Sequence, residues 1–266
     1  MKRMISILLA FGMLLTFICG CGNNADSTSD EQTTITVFAA ASMTETLTEI
    51  AESYKEVASD VTIVFNFDSS GTLKTQIEEG AACDVFVSAA PKQMDELEQL
   101  DFVLQESRID LLENKVALAV PEGNPKGIAS YDDLISGLKS GEVMLSMGNA
   151  DVPVGQYTQK ILKYFGLSEE ELVQAGCVTY GSNAKEVTTQ VSENVVDCGI
   201  IYSTDAYSAN LTVVDTATKE MCGQVIYPAA VLNISENEEA AKAFLNYLTG
   251  EEASKVFEAV GFVPTA

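Results

Sequence analysis

Ile35-Thr36-Val37-Phe38-Ala39-Ala40-Ala41-Ser42-Met43-Thr44-Glu45 opens the stretch that decides the fold. Ile35, Val37 and Ala39 alternate with polar or small neighbours, the period of a strand. Leu47, Ile50, Ala51 and Tyr54 then recur at i, i+3, i+4 and i+7, the stripe of an amphipathic helix. The pattern repeats at once. Val61, Ile63, Phe65 and Phe67 predict a second strand, which runs through Asp68-Ser69-Ser70-Gly71-Thr72 into a helix over 72–79 closed by Gly80. Val85–Val87 reads as a third strand, and Pro91–Leu100 as a helix with proline at its start. This β-α-β-α-β order favours an α/β fold with a mostly parallel, doubly wound sheet.

Working outward, the theme recurs over residues 116–202. Strands are expected at Val116–Val120, Val143–Met147 and Val196–Tyr202, with helices at Tyr131–Leu138, around Tyr157, Ile161 and Phe165, and at Lys185–Val191. Gln224–Leu232 reads as a long strand. Pro228 within it points to an edge or a crossing segment, because proline cannot donate to a ladder. The last two helices, with Phe244, Leu245 and Leu248 and then Ala253, Val256, Phe257 and Val260 on their apolar faces, lack a sheet of their own. They are expected to return to the first lobe through crossing segments near 114–118 and 224–230. The expected organisation is an export signal at 1–20, a tether at 21–33, lobe 1 at 34–115, lobe 2 at 116–226 and a return to lobe 1 at 227–266. The cleft between lobes is the natural place for a ligand.

The chain has 266 residues, 39 acidic and 15 basic side chains, and a formal charge of −24. That balance argues against nucleic acid, whose phosphates need clustered Lys and Arg. No histidine is present, which removes Ser-His-Asp catalysis and the commonest metal ligand. Cys83, Cys177, Cys198 and Cys222 form no C-x-x-C pair, so a zinc site is not expected and their disulfide state stays open. Lys2 and Arg3 precede an apolar run, Ile5–Ile18, too short to span a bilayer. Ile18-Cys19-Gly20-Cys21 is similar to the lipobox of bacterial lipoproteins, which implies Cys21 as a lipid-modified N-terminus on the outer face of the cell membrane. The polar residues that follow read as a flexible tether of roughly 20 Å reach.

Ser42 and Ser70 each sit where a strand runs into a helix, and helix N-termini present free N–H groups and the positive end of the macrodipole. Ser42-Met43-Thr44-Glu45 fits a capping box, with Glu45 reaching back. A cap alone accounts for either serine; a small-anion site accounts for both. Val152-Pro153-Val154-Gly155 would expose the Val154 N–H, Gly181-Ser182-Asn183-Ala184-Lys185 starts another helix, and Tyr202 emerges from a buried strand as a neutral donor.

Taken in order, Val37–Ser42, Ser69–Leu73, Val152–Gly155, the 184–191 helix and Gly199–Ala206 resemble the molybdate-binding proteins that serve ABC importers. Tyr227-Pro228-Ala229-Ala230-Val231 and Gly261-Phe262 also fit. The resemblance implies a two-lobe, type II periplasmic-binding-protein-like fold with a two-segment hinge. It implies molybdate or tungstate as ligand, no cofactor, no catalytic residue and no cation site. Ser42 and Ser70 would bind by hydroxyl and N–H, Val154 and Ala184 by N–H, and Tyr202 by its phenol. It further implies an ABC permease as partner and a monomer in solution. Many relatives carry a third serine where this chain has Gly71. Sulfate or phosphate on the same scaffold is the alternative ligand, and an extracytoplasmic enzyme using Asp68 or Asp205 is a more distant one. Asp68 would favour protonated phosphate if it faced the site, but strand alternation turns it away from Phe67.

Overall fold

Strand β1 (Thr33–Ala40) and helix α1 (Thr44–Tyr54), joined by a 3-10 turn at Ala41–Met43, begin a computed structural model that describes residues 32–266. The expected export signal, Cys21 and most of the expected tether lie outside the described residues. Thr33, expected in that tether, is the first residue of β1. β2 (Val61–Asp68), α2 (Ser70–Glu78), β3 (Val85–Val87) and α3 (Pro91–Gln99) follow the alternation read from the sequence. β1 pairs in parallel with both β2 and β3. Its apolar residues Ile35, Val37 and Ala39 are fully buried, as the period-two pattern requires.

β4 (Ile109–Asn114) belongs to the first sheet and β5 (Val116–Val120) to the second, with Lys115 alone between them. The second lobe is completed by α4 (Tyr131–Ser140), β6 (Leu145–Gly148), α5 (Pro153–Tyr164), α6 (Glu169–Gln174), β7 (Val178–Gly181), α7 (Ala184–Ser192), β8 (Cys198–Tyr202), α8 (Ser203–Ser208), β9 (Thr212–Thr216) and α9 (Lys219–Cys222). The chain then returns through β10 (Val225–Val231), α10 (Glu238–Leu248), α11 (Glu251–Val260) and β11 (Val263–Pro264). The sheet orders are β11-β4-β10-β3-β1-β2 and β7-β6-β8-β5-β9. This is the two-lobe, type II architecture.

Both sheets are mixed. β1, β2 and β3 run parallel, as do β6, β7 and β8. β10, β4 and β11 pair antiparallel, and so do β5, β8 and β9, because the crossing segments run back against the incoming strands. Val225 already pairs with Asn114, so the return to the first sheet starts slightly before residue 227. β10 is a crossing strand in the middle of the sheet, not an edge. Pro228 is accommodated by a register shift between Tyr227 and Pro228, where the ladder needs no N–H. α10 and α11 pack on α1, on the first lobe. Cys83, Cys177, Cys198 and Cys222 are free, buried thiols.

Candidate ligand-binding site

The two serines do different work from simple caps. The residues preceding the 3-10 turn and α1 are Ala40 and Met43, neither of which caps by side chain, so the expected capping box does not form. Ser42 Oγ instead lies 3.0 Å from Tyr227 Oη in a buried contact, and Glu45 reaches away to Lys185. The cap of α2 is Ser69, whose Oγ accepts from Thr72 N at 3.1 Å. That leaves Ser70, fully buried, to accept from Ala89 N at 2.9 Å. A hydroxyl that accepts from a backbone N–H keeps its own proton to donate elsewhere.

The second lobe supplies helix starts. Val154 is the second residue of α5 and Ala184 the first of α7, positions whose N–H groups have no acceptor inside the helix. Pro153 fits the first position because it has no N–H to lose. Gly155 is required by packing: a Cβ there would lie 2.3 Å from the carbonyl oxygens of Gly148 and Asn149. Asn183 caps α7 by accepting from Glu186 N at 3.0 Å. Tyr202, at the end of β8, donates to the Ala89 carbonyl across the cleft at 3.4 Å, a long bond that is cheaply exchanged for a better one.

These contacts bring Ser42, Ser70 and Tyr202 to one seam between the lobes, while the Val154 and Ala184 N–H groups stand at the starts of α5 and α7. Ser70 and Tyr202 share Ala89, Ser42 is joined through Tyr227 to Asn114 Nδ2 at 3.3 Å, and the Tyr202 and Tyr227 rings pack edge to face at 5.5 Å. α7 packs on the 3-10 turn that carries Ser42. The hydroxyl partners of Ser42, Ser70 and Tyr202 are thus uncharged. Burial raises the Tyr202 and Tyr227 phenols well above their ordinary range, so both stay protonated and able to donate. Tyr227 and Asn114 were not among the residues expected here. An alternating, apolar β10 gives Tyr227 the look of a core residue, and only the crossing of the strands makes it a neighbour of Ser42.

Charged groups ring the seam. Lys185 bridges from α7 to Glu45 on α1 with 2.8 and 2.6 Å contacts to the two carboxylate oxygens. It also lies 3.7 Å from Asp205, which is fully buried and has no hydrogen-bond partner. Burial pushes the Asp205 carboxyl up to about 7, against the opposing pull of Lys185. Asp68 accepts from its neighbour Ser69 N at 2.7 Å and from Asn183 Nδ2 of the other lobe at 3.4 Å. The Phe65 and Phe67 rings stack on the opposite face of β2, as alternation requires. Asp68 thus lies opposite Phe67 as expected but does not point away from the site: its carboxylate is turned to the other lobe, where Asn183, next to Ala184, donates to it.

The chain is similar to known proteins over most of its length. The family model for bacterial extracellular solute-binding proteins matches residues 35–263. A putative ABC transporter substrate-binding lipoprotein, YvgL of Bacillus subtilis, is 31% identical over 98% of this chain and 99% of its own length. The molybdate-binding protein ModA of Haemophilus influenzae is 33% identical over 86% of this chain and 89% of its own. The substrate-binding domain of a putative molybdenum ABC transporter from Clostridium difficile superimposes with a TM-score of 0.65 at 29% identity, covering 88% of this chain and 100% of that one. The chain belongs to the bacterial extracellular solute-binding proteins, in the company of the molybdate-binding members.

Proposed function

We propose that this protein binds molybdate outside the cytoplasm, in the cleft between its lobes, and delivers it to an ABC importer. The observation that carries this reading is a set of neutral donors on both sides of one seam, in a chain that is similar to molybdate-binding relatives over most of its length. Ser42 and Ser70 would donate from the first lobe, and Val154 N, Ala184 N and Tyr202 Oη from the second. Hydrogen bonds to an oxyanion are about twice as strong as neutral ones, and exclusion of water strengthens them further. Donors without formal charge hold a dianion without the desolvation cost of a buried ion pair. A lining of donors also disfavours protonated phosphate, whose hydrogen needs an acceptor. Tungstate, of similar size and charge, is expected to bind as well. The reading is of a binding protein and not an enzyme. Cys21 is proposed to carry a lipid that holds the protein at the outer face of the membrane.

A thermal-shift series with molybdate, tungstate, sulfate and phosphate tests the ligand. A bound ligand raises stability by RT ln(1 + [L]/Kd), so the shifts rank the affinities. Molybdate and tungstate are expected to give the large shifts. A larger shift with sulfate or phosphate would replace the proposed ligand, and no shift with any of the four would end the oxyanion reading. Mass spectrometry of the exported chain tests the anchor: an unmodified Cys21 would overturn it.

A further inference from the structure

Gly71 is the second residue of α2, directly after Ser70, yet nothing in its backbone calls for glycine. Its φ is not positive, and glycine inside a helix is less favourable than alanine. Space explains it. A Cβ built at Gly71 would lie 2.2 Å from the carbonyl oxygen of Asp151 and 3.0 Å from its carbonyl carbon and Cβ, where ordinary contact begins at 3.4 Å. Asp151 belongs to the other lobe, in the loop between β6 and α5, just ahead of Val154.

That loop is braced. Asn149 N donates to Gly181 O at 3.0 Å, Asp151 N to Asn149 Oδ1 at 2.9 Å, and Gln156 Nε2 to Ala150 O at 3.0 Å. The peptide that carries the Asp151 carbonyl is itself tied by Val152 N, which donates to Asn149 O at 3.1 Å, so this carbonyl does not swing aside as a side chain would. Other polar contacts across the cleft, Glu45–Lys185, Asp68–Asn183 and Tyr202–Ala89, each rely on a side chain that can adjust. At Gly71 backbone meets backbone.

We propose that Gly71 is a positioning residue that fixes how far the two lobes close, and thereby how tightly the donors on either side grip the anion. The proposal rests on the reading of this seam as an oxyanion site. Position 71 is then more than a missing hydroxyl: the space a serine there would need is taken by Asp151. Any side chain at 71 holds the lobes about 1 Å further apart next to Ser70 and Val154, which lengthens the bonds from one side of the cage.

The test uses the full chain in detergent, with Gly71→Ala and Gly71→Ser beside the unaltered protein. Calorimetry gives Kd for molybdate and tungstate, competition against molybdate gives the weaker sulfate, and stopped-flow gives the off-rate. Both variants are expected to bind molybdate at least tenfold more weakly through a faster off-rate. The loss should be larger for sulfate than for tungstate, because a widened cage reaches a small anion least well. The melting temperature without ligand should not fall, since an open cleft has room for the methyl group; this separates a closure defect from a folding defect. Unchanged Kd values in Gly71→Ala would overturn the proposal, as would tighter binding in Gly71→Ser, which would make position 71 a site for a third donor. If the unaltered protein binds none of the three anions, the oxyanion reading itself fails, a result distinct from both.

Discussion

Replacing Ser42 by alanine removes one hydroxyl from the seam and leaves the backbone donor in place. A hydrogen bond to a charged group contributes about 1.5–3 kcal/mol, which corresponds to roughly 10- to 150-fold in Kd. The structure places the expected loss toward the lower part of that range. Ser42 Oγ is 3.0 Å from Tyr227 Oη, and Tyr227 keeps a second partner in Asn114 Nδ2 at 3.3 Å. With Ser42 gone, the Tyr227 oxygen is still satisfied and its proton is free to turn toward the anion, which recovers part of the loss. Ser42→Ala with Tyr227→Phe should therefore cost more than the two single changes added together. Titration calorimetry with molybdate measures each Kd, and ligand-free melting shows that the variants are folded. A Ser42→Ala protein that melts normally and binds within threefold of the unaltered protein would refute the hydroxyl's role. The companion change, Val154→Ala, keeps the N–H at the second position of α5 and should leave Kd within a few-fold; equal losses in the two variants would refute the backbone-donor assignment.

Three further outcomes are expected. Tyr202→Phe removes only a long 3.4 Å bond to the Ala89 carbonyl, so it should change the ligand-free melting temperature little and weaken molybdate about tenfold or more; calorimetry beside melting separates these. The Glu45–Lys185 pair spans the lobes with the lysine 29% and the glutamate 55% exposed, so a double-mutant cycle with Glu45→Gln and Lys185→Met should show about 0.2–1 kcal/mol of coupling in ligand binding, fading in high salt; a larger, salt-independent value would contradict a screened pair. Asp205 is raised by burial to about 7 from an unfolded value near 3.8, so the native state retains a proton that the unfolded chain releases. Its contribution is then fully present below the lower value and is lost as pH rises to about 7. Denaturant titrations should show that decline in the unaltered protein and a flatter profile in Asp205→Asn.

The alternation at Ile35–Ala39 and the stripe from Leu47 to Tyr54 were sufficient to lay down the first lobe, because both report burial directly. Asn114 and Tyr227 were less legible as site residues. Each lies on a crossing strand, and sequence carries no sign of which strand will lie beside Ser42 once the chain returns from the second lobe. The capping box at Ser42 misled for a related reason: local chemistry offered Glu45 a partner in its own helix, and the tertiary fold offered it Lys185. The short elements β7 and β9 were also hidden, since Val178–Gly181 and Thr212–Thr216 are too brief and too exposed for periodicity to mark them. Gly71 reads from sequence as a turn residue and a missing hydroxyl, whereas the space against it is taken by Asp151 of the other lobe, far away in sequence.

The edge-to-face packing of Tyr202 on Tyr227, with Tyr157 6.4 Å from Tyr202, has an optical consequence. The sequence contains nine tyrosines and no tryptophan, so its near-ultraviolet emission comes from phenols alone. Two of those phenols sit on opposite lobes at the seam where the anion is proposed to bind. Cleft movement that changes their separation or their hydrogen bonds changes quenching and circular dichroism at the same wavelengths. If the cleft closes on the anion as proposed, tyrosine emission and near-ultraviolet circular dichroism should change with it, a signal that a single added tryptophan would swamp.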